Sequence, residues 1–236
     1  MKIESLGNSG NPRLLFLHGY GAHPHLYRDF LHAAAAEYYV LVPELFGLSG
    51  VCRRDFAENM NALREKISHH ELDGTVVIGH SYGALAAMHL AAEFPQLWRA
   101  VAINPLLPQL VNAGKLRVQI GNMGRDLGRA TGEMRGMLSN LAVGLRYGLN
   151  VLANPVGYVE GALKAITSEL PRKTSAVPVE LVYADLDTLF HIEEADLGRW
   201  REVLPNLRLT EVPGYSHNWI IYHGAFCWQK IAGLLQ

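Results

Sequence analysis

The sequence predicts an α/β protein whose mostly parallel sheet is covered by helices on both faces. Two observations carry this reading. Short, continuous apolar runs recur along the chain and alternate with amphipathic helical stretches, as strands buried on both faces require. One interval, residues 106–170, interrupts the alternation without a clear strand and reads as a helical insertion.

The elements follow in order. Leu14 to Leu17 is a short apolar run after Asn11-Pro12, and Leu26 to Tyr38 reads as helical. Val40 to Pro43 is apolar again and is followed by a turn at Gly47. Phe56, Met60, Leu63 and Ile67 recur at spacings of three and four, the stripe of a helix lying on a sheet. Thr75 to Ile78 is a β-branched run, and Ala84 to Phe94 is an alanine-rich helix stopped at Pro95. Ala100 to Ile103, Val179 to Tyr183 and Leu207 to Val212 complete the strands. Glu193 to Val203 and Ala225 to Leu235 read as the last two helices.

Composition narrows the function. The chain has 236 residues, is 49% hydrophobic and 18% charged, and balances 21 Lys and Arg against 22 Asp and Glu. Those values exclude a disordered chain, a coiled coil and a fibrous repeat. A formal charge of −1 offers no basic field for nucleic acid. Cys52 and Cys227 cannot build a disulfide framework, so reduced thiols in a cytoplasmic protein are expected. The N-terminal MKIESLGNSGNPR lacks the apolar core of a secretory signal, and no uncharged stretch is long enough to span a bilayer. No metal is expected either, because His23 and His25 have no acidic partner at ligand spacing.

The insertion has its own character. Between residues 106 and 159, Lys115, Arg117, Arg125, Arg129, Arg135 and Arg146 stand against only Asp126 and Glu133. Glycines at 124, 128, 132, 136, 144 and 148 allow close backbone approach but weaken any helix that carries them. Met134, Met137, Leu138 and Leu141, continued by Leu145 and Leu149, form an apolar face. The segment reads as a packed cap or, more sharply, as a mobile basic lid over a site. Its position between two strands that end on the ligand-binding edge of the sheet leads us to expect helices over that edge on either reading, rather than a separate domain elsewhere.

The chemistry begins at Gly79-His80-Ser81-Tyr82-Gly83, a G-x-S-x-G pattern. By itself the pattern is weak, but it directly follows one strand and opens a helix. A nucleophile elbow requires this strand-turn-helix setting, in which the glycines permit a sharp turn and the serine hydroxyl stands clear of the sheet. A serine nucleophile needs a base, and the base needs an orienting carboxylate. His217 follows the last strand, while Asp185 and Asp187 follow the strand before it. Chain order therefore offers Ser81, one of two aspartates, and His217.

These residues resemble the α/β-hydrolase superfamily. Leu15-Phe16-Leu17-His18-Gly19-Tyr20-Gly21 is similar to its strand and oxyanion loop. Val40 to Gly47 is similar to the next strand and turn, with Glu44 where the family usually has Asp. Ala184-Asp185-Leu186-Asp187 resembles the segment carrying the acid, which places that role at Asp187 with Asp185 as runner-up. Pro213-Gly214-Tyr215-Ser216-His217 resembles the segment carrying the base. The insertion falls where the family has its cap, and the leading antiparallel strands are shortened or partly absent ahead of Leu14.

The resemblance implies an α/β-hydrolase fold with a core formed by residues 1–105 and 171–236 and a cap formed by residues 106–170. It implies Ser81 as nucleophile, His217 as base, Asp187 as acid, and the backbone N–H groups of Tyr20 and Tyr82 as the oxyanion hole. Met134, Met137, Leu138 and Leu141 would meet a small-molecule substrate, and no cofactor is required. Cleavage of a small or medium carboxylic ester is the leading expectation. The same triad could serve amide, thioester or C–C hydrolysis or a lyase reaction, and a ligand-binding sensor with slow turnover is a further alternative.

Overall fold

The computed structural model describes residues 1–45, 55–67, 72–107, 170–187, 192 and 197–236. Seven strands are found among them: β1 (Ile3–Leu6), β2 (Arg13–Leu17), β3 (Tyr39–Pro43), β4 (Val76–His80), β5 (Arg99–Ile103), β6 (Val179–Ala184) and β7 (Leu207–Val212). They form one sheet in the order β1-β3-β2-β4-β5-β6-β7, parallel except for β1, which runs antiparallel to β3. Ahead of β2, residues 1–12 thus contribute one antiparallel strand.

The helices are α1 (Arg28–Ala35), α2 (Phe56–Ile67), α3 (Tyr82–Glu93), α4 (Gly198–Val203), α5 (Trp219–Tyr222) and α6 (Gly224–Leu234). A 3-10 turn at Pro24–Tyr27 precedes α1, so the helical stretch expected over residues 26–38 divides in two. Pro24 suits the first position of such a turn because its missing N–H would have no partner there.

Alternation along each strand makes two apolar layers. Leu15 and Leu17 of β2 join Phe56, Met60 and Leu63 of α2 and Trp200 of α4 on one face. Leu14 and Phe16 join Phe30 of α1, Trp219 of α5 and Trp228 of α6 on the other. Because both faces are covered, the strands carry no polar alternation. Helix α3 is buried from Tyr82 through Ala92, so its alanines replace the solvent-facing polar residues of an ordinary amphipathic helix.

Two glycines set how closely the elbow packs. A Cβ on Gly79 would lie 2.0 Å from the Gly83 carbonyl oxygen, and one on Gly83 would lie 2.0 Å from the Leu17 oxygen. These neighbours are backbone and cannot swing away, so alanine at either site must push β4, β2 and α3 apart. Gly83→Ala is expected to destabilise the fold by about 3 kcal/mol or more, in the range of severe overpacking. Thermal unfolding checks this, and a melting temperature equal to that of the parent protein would contradict it.

The register brings the ends of the central strands to one edge. His80 of β4 pairs with Ile103 of β5, Ile103 with Val182 of β6, and Ala184 of β6 with Val212 of β7. Ser81, Asn104, the Asp185–Asp187 turn and the Pro213–His217 loop therefore leave the sheet side by side. In open α/β sheets this carboxyl edge is where ligands bind. Among the described residues, no helix is long and apolar enough to cross a membrane.

Candidate active site

Ser81 links β4 to α3 with φ 56° and ψ −114°, a conformation that costs a non-glycine residue energy. Backbone bonds hold it there. Its N–H donates to the Ile103 carbonyl at 2.9 Å, and its own carbonyl accepts from Leu106 at 3.1 Å and Ala84 at 3.1 Å. Ser81 is the N-cap residue of α3, yet its hydroxyl makes no capping hydrogen bond, so the side chain is not consumed in closing the helix. The strain marks a place where local preference is overruled by the surrounding strands.

His217 and Asp187 are both buried, and His217 Nδ1 lies 2.7 Å from Asp187 Oδ2. A carboxylate there holds the proton on Nδ1 and leaves Nε2 as the basic nitrogen. Asp185 is exposed and has a different partner: its Oδ1 accepts the Gly214 N–H at 2.6 Å. The structure thus gives the two aspartates separate tasks, one on the His217 ring and one bracing the loop that presents it. Gly214 has φ +84°, which suits glycine at the turn between β7 and His217.

The loop after β2 closes the third side. Gly19 sits against the elbow so closely that a Cβ on it would lie 3.3 Å from Ser81 Cβ. The rings of Tyr20 and Tyr82 are neighbours, with centroids 6.1 Å apart. Tyr82 is the first residue of α3 and is buried against Phe56, its hydroxyl accepting a hydrogen bond from Asn59 Nδ2 at 3.0 Å. His18 ties the loop down: Nδ1 bonds the Gly19 carbonyl at 3.0 Å, and Nε2 accepts the Leu45 N–H at 3.0 Å. Glu44, found where the family usually has Asp, has Oε1 3.6 Å from His23 Nε2.

These bonds need His18 neutral, and burial lowers its pKa from 6.5 to about 4. Burial likewise pushes His89, packed between Phe56 and Trp200, to about 3, and holds His80 well below its usual range. All three shifts are downward, so the unfolded chain takes up protons that the folded chain refuses. The stability these three groups contribute is therefore present above about pH 6.5 and drains away as pH falls toward 4, with His18 alone worth about 3 kcal/mol. Urea midpoints should fall steadily below about pH 6.5, and a flat profile down to about pH 5 would contradict the assignment.

Of the other expected site residues, Met134, Met137, Leu138 and Leu141 lie outside the described residues, as does the interval 108–169 that holds most of the expected cap. Leu106 and Leu107, at its start, are buried beside the elbow strand ends. Two residues of the site were not singled out from the sequence: Asn104, with φ 45° at the end of β5, and Tyr27. The Asn-Pro pair at positions 104 and 105, directly after a strand, is the one signal that could have flagged Asn104 as a special backbone position. Among the described residues, no group of three His, Cys, Asp or Glu could hold a metal ion.

Fold and site together define a class: a mostly parallel α/β sheet with a strained serine between strand and helix and a buried acid–histidine pair at its carboxyl edge. The sequence profile of the alpha/beta hydrolase family matches residues 14–228, and the chain belongs to that family. Among its relatives, the magnesium-chelatase 30 kDa subunit of Rhodobacter capsulatus is 36% identical over 112 residues, 44% of this chain and 38% of that protein. A soluble epoxide hydrolase of Corynebacterium sp. strain C12 is 32% identical over 113 residues, 45% of this chain and 38% of that protein. The chain thus matches these curated relatives over less than half of their length. Solved structures agree over nearly the whole fold. A marine microorganism esterase superposes with a TM-score of 0.69 at 18% identity, covering 98% of each chain. The enol-lactonase of Burkholderia xenovorans LB400 gives 0.70 at 15% identity, covering 99% of this chain and 95% of that one. At these identities the likeness is one of fold. Family membership supports a hydrolase.

Proposed function

We propose that this protein is a serine hydrolase that cleaves a small or medium carboxylic ester through an acyl-enzyme on Ser81. The observation that carries the reading is the buried 2.7 Å contact between His217 Nδ1 and Asp187 Oδ2, at the same sheet edge as the strained Ser81. His217 Nε2 takes the Ser81 proton as Oγ attacks the ester carbonyl. Asp187 keeps the imidazole in the required tautomer and stabilises the imidazolium that forms. The backbone N–H groups of Tyr20 and Tyr82 receive the negative oxygen of the tetrahedral intermediate, a contribution of about 3 kcal/mol per donor in related chemistry. His217 then gives its proton to the departing alkoxide. Water repeats the sequence on the acyl-enzyme, releasing the acid and restoring Ser81. Every proton transfer uses a group of this chain, and residues 106–170 enter as the proposed cap that shapes the acyl pocket.

A fluorophosphonate probe and a panel of nitrophenyl esters of rising acyl length test the proposal. Stoichiometric labelling with turnover of short or medium esters is the expected result. Labelling without ester turnover would move the reaction to an amide, thioester or C–C bond, or to a slow sensor. Absence of both would overturn the serine-hydrolase reading.

A further inference from the structure

His80 occupies the variable position of the elbow motif and is only 2% exposed, with both ring nitrogens engaged. The Gly19 N–H donates to the Tyr27 hydroxyl oxygen at 3.0 Å. That hydroxyl lies 2.9 Å from His80 Nδ1. On the far side, His80 Nε2 lies 2.9 Å from the main-chain carbonyl of His217. One arrangement of protons satisfies the series: Tyr27 donates to Nδ1, and Nε2–H donates to the His217 oxygen. A second donor meets the same oxygen, Asn104 Nδ2 at 2.8 Å. Asn104 Oδ1 in turn accepts the Ala184 N–H at 2.9 Å, and the Ala184 carbonyl accepts the Asp187 N–H at 3.0 Å.

We infer that His80 and Asn104 are positioning residues that set the imidazole of His217 by clamping its backbone carbonyl from two sides, while Tyr27 and Ala184 tie that clamp to the oxyanion loop and to the acid turn. The inference rests on the role proposed above for His217. Its physical basis is that a ring attached through one Cα is only as well placed as its own peptide unit. Both strong acceptor directions of the His217 oxygen are used, in a buried setting where such bonds hold geometry firmly. Asp187 fixes the rotation of the ring, and the clamp fixes where the ring begins. His80 also adjoins Ser81, and its ring lies 5.0 Å from that of His217, so one residue couples nucleophile to base. Burial keeps His80 neutral, as the proton arrangement needs.

Substitutions at His80 separate positioning from packing. Glutamine places an amide donor near the Nε2 position and preserves the bond to His217, whereas asparagine reaches only the Nδ1 position and loses it. In the full-length protein, His80→Asn should lower kcat on a nitrophenyl ester about tenfold or more with KM unchanged, and His80→Gln should restore most of it. Asn104→Asp approaches the same oxygen from the other side. It tolerates the left-handed backbone and still accepts from Ala184, but as the carboxylate it cannot donate to His217, and at a pH where it is ionised it should show the same kcat loss. The downfield proton on His217 Nδ1, observed by NMR, should move or broaden in His80→Asn and Asn104→Asp and stay in place in His80→Gln. Melting temperatures taken alongside control for packing. If both asparagine and glutamine variants lose kcat in proportion to lost stability, or if His80→Asn leaves kcat and the His217 resonance unchanged, the clamp does not exist. If the parent protein shows no turnover, the hydrolase reading fails while the resonance still decides the clamp.

Discussion

Replacing Ser81 by alanine is expected to abolish fluorophosphonate labelling and to lower kcat on any ester substrate by a factor of about a thousand to a million. The size of the effect follows from covalency: without Oγ there is no acyl-enzyme, and what survives is binding and the oxyanion donors acting on bound water. The substitution should cost the fold little. The hydroxyl makes no capping bond, and the bonds that hold residue 81 in place come from its backbone. Alanine at φ 56° bears the same kind of strain as serine there. A variant that melts like the parent protein and is inert toward the probe is the expected outcome. One that is still labelled stoichiometrically would place the nucleophile elsewhere.

Asp187→Asn is expected to reduce kcat about ten-thousand-fold, whereas Asp185→Asn should cost far less. The amide cannot hold the proton on His217 Nδ1 as the carboxylate does, so the ring adopts the tautomer whose Nε2 is already protonated and cannot act as base. Asp185 acts at one remove. Its carboxylate receives the Gly214 N–H, and an asparagine oxygen can still accept that bond. Removing the charge weakens this brace on the loop that ends at His217 and leaves the Asp187 contact with the ring in place. Measuring both variants on one ester, with melting temperatures as control, decides the matter. A larger loss for Asp185→Asn in equally stable proteins would reverse the assignment.

The sheet was legible because its cause is local. Strands buried on both faces must be apolar at consecutive positions, and Leu14–Leu17, Val40–Pro43 and Ala100–Ile103 carry that signature in four residues each. The elbow was legible for the same reason: the strand, the two glycines, the serine and the helix are contiguous. Helical limits were less so. The break between Tyr27 and Arg28 goes with the seating of Tyr27 against the loop after β2, where its hydroxyl accepts the Gly19 N–H, which nothing in the stripe of Leu26, Phe30 and Leu31 encodes.

Composition, the chain order of β2 to β7, the strand-turn-helix at Ser81 and the chain order of serine, aspartate and histidine were legible in the sequence alone, whereas β1 and α5 were not. The choice between Asp185 and Asp187 as neighbour of the His217 ring was made by the tertiary structure. Two residues apart in one turn, they point to different places, and only the docking of β7 beside β6 says which place holds the imidazole. The clamp on His217 is further still from sequence reasoning. His80 and the carbonyl it meets are 137 positions apart, and a buried histidine declares in its sequence neither its tautomer nor its partner. Hydrophobic burial is non-directional and leaves a periodic trace along the chain, whereas hydrogen bonds between distant segments are directional and leave none.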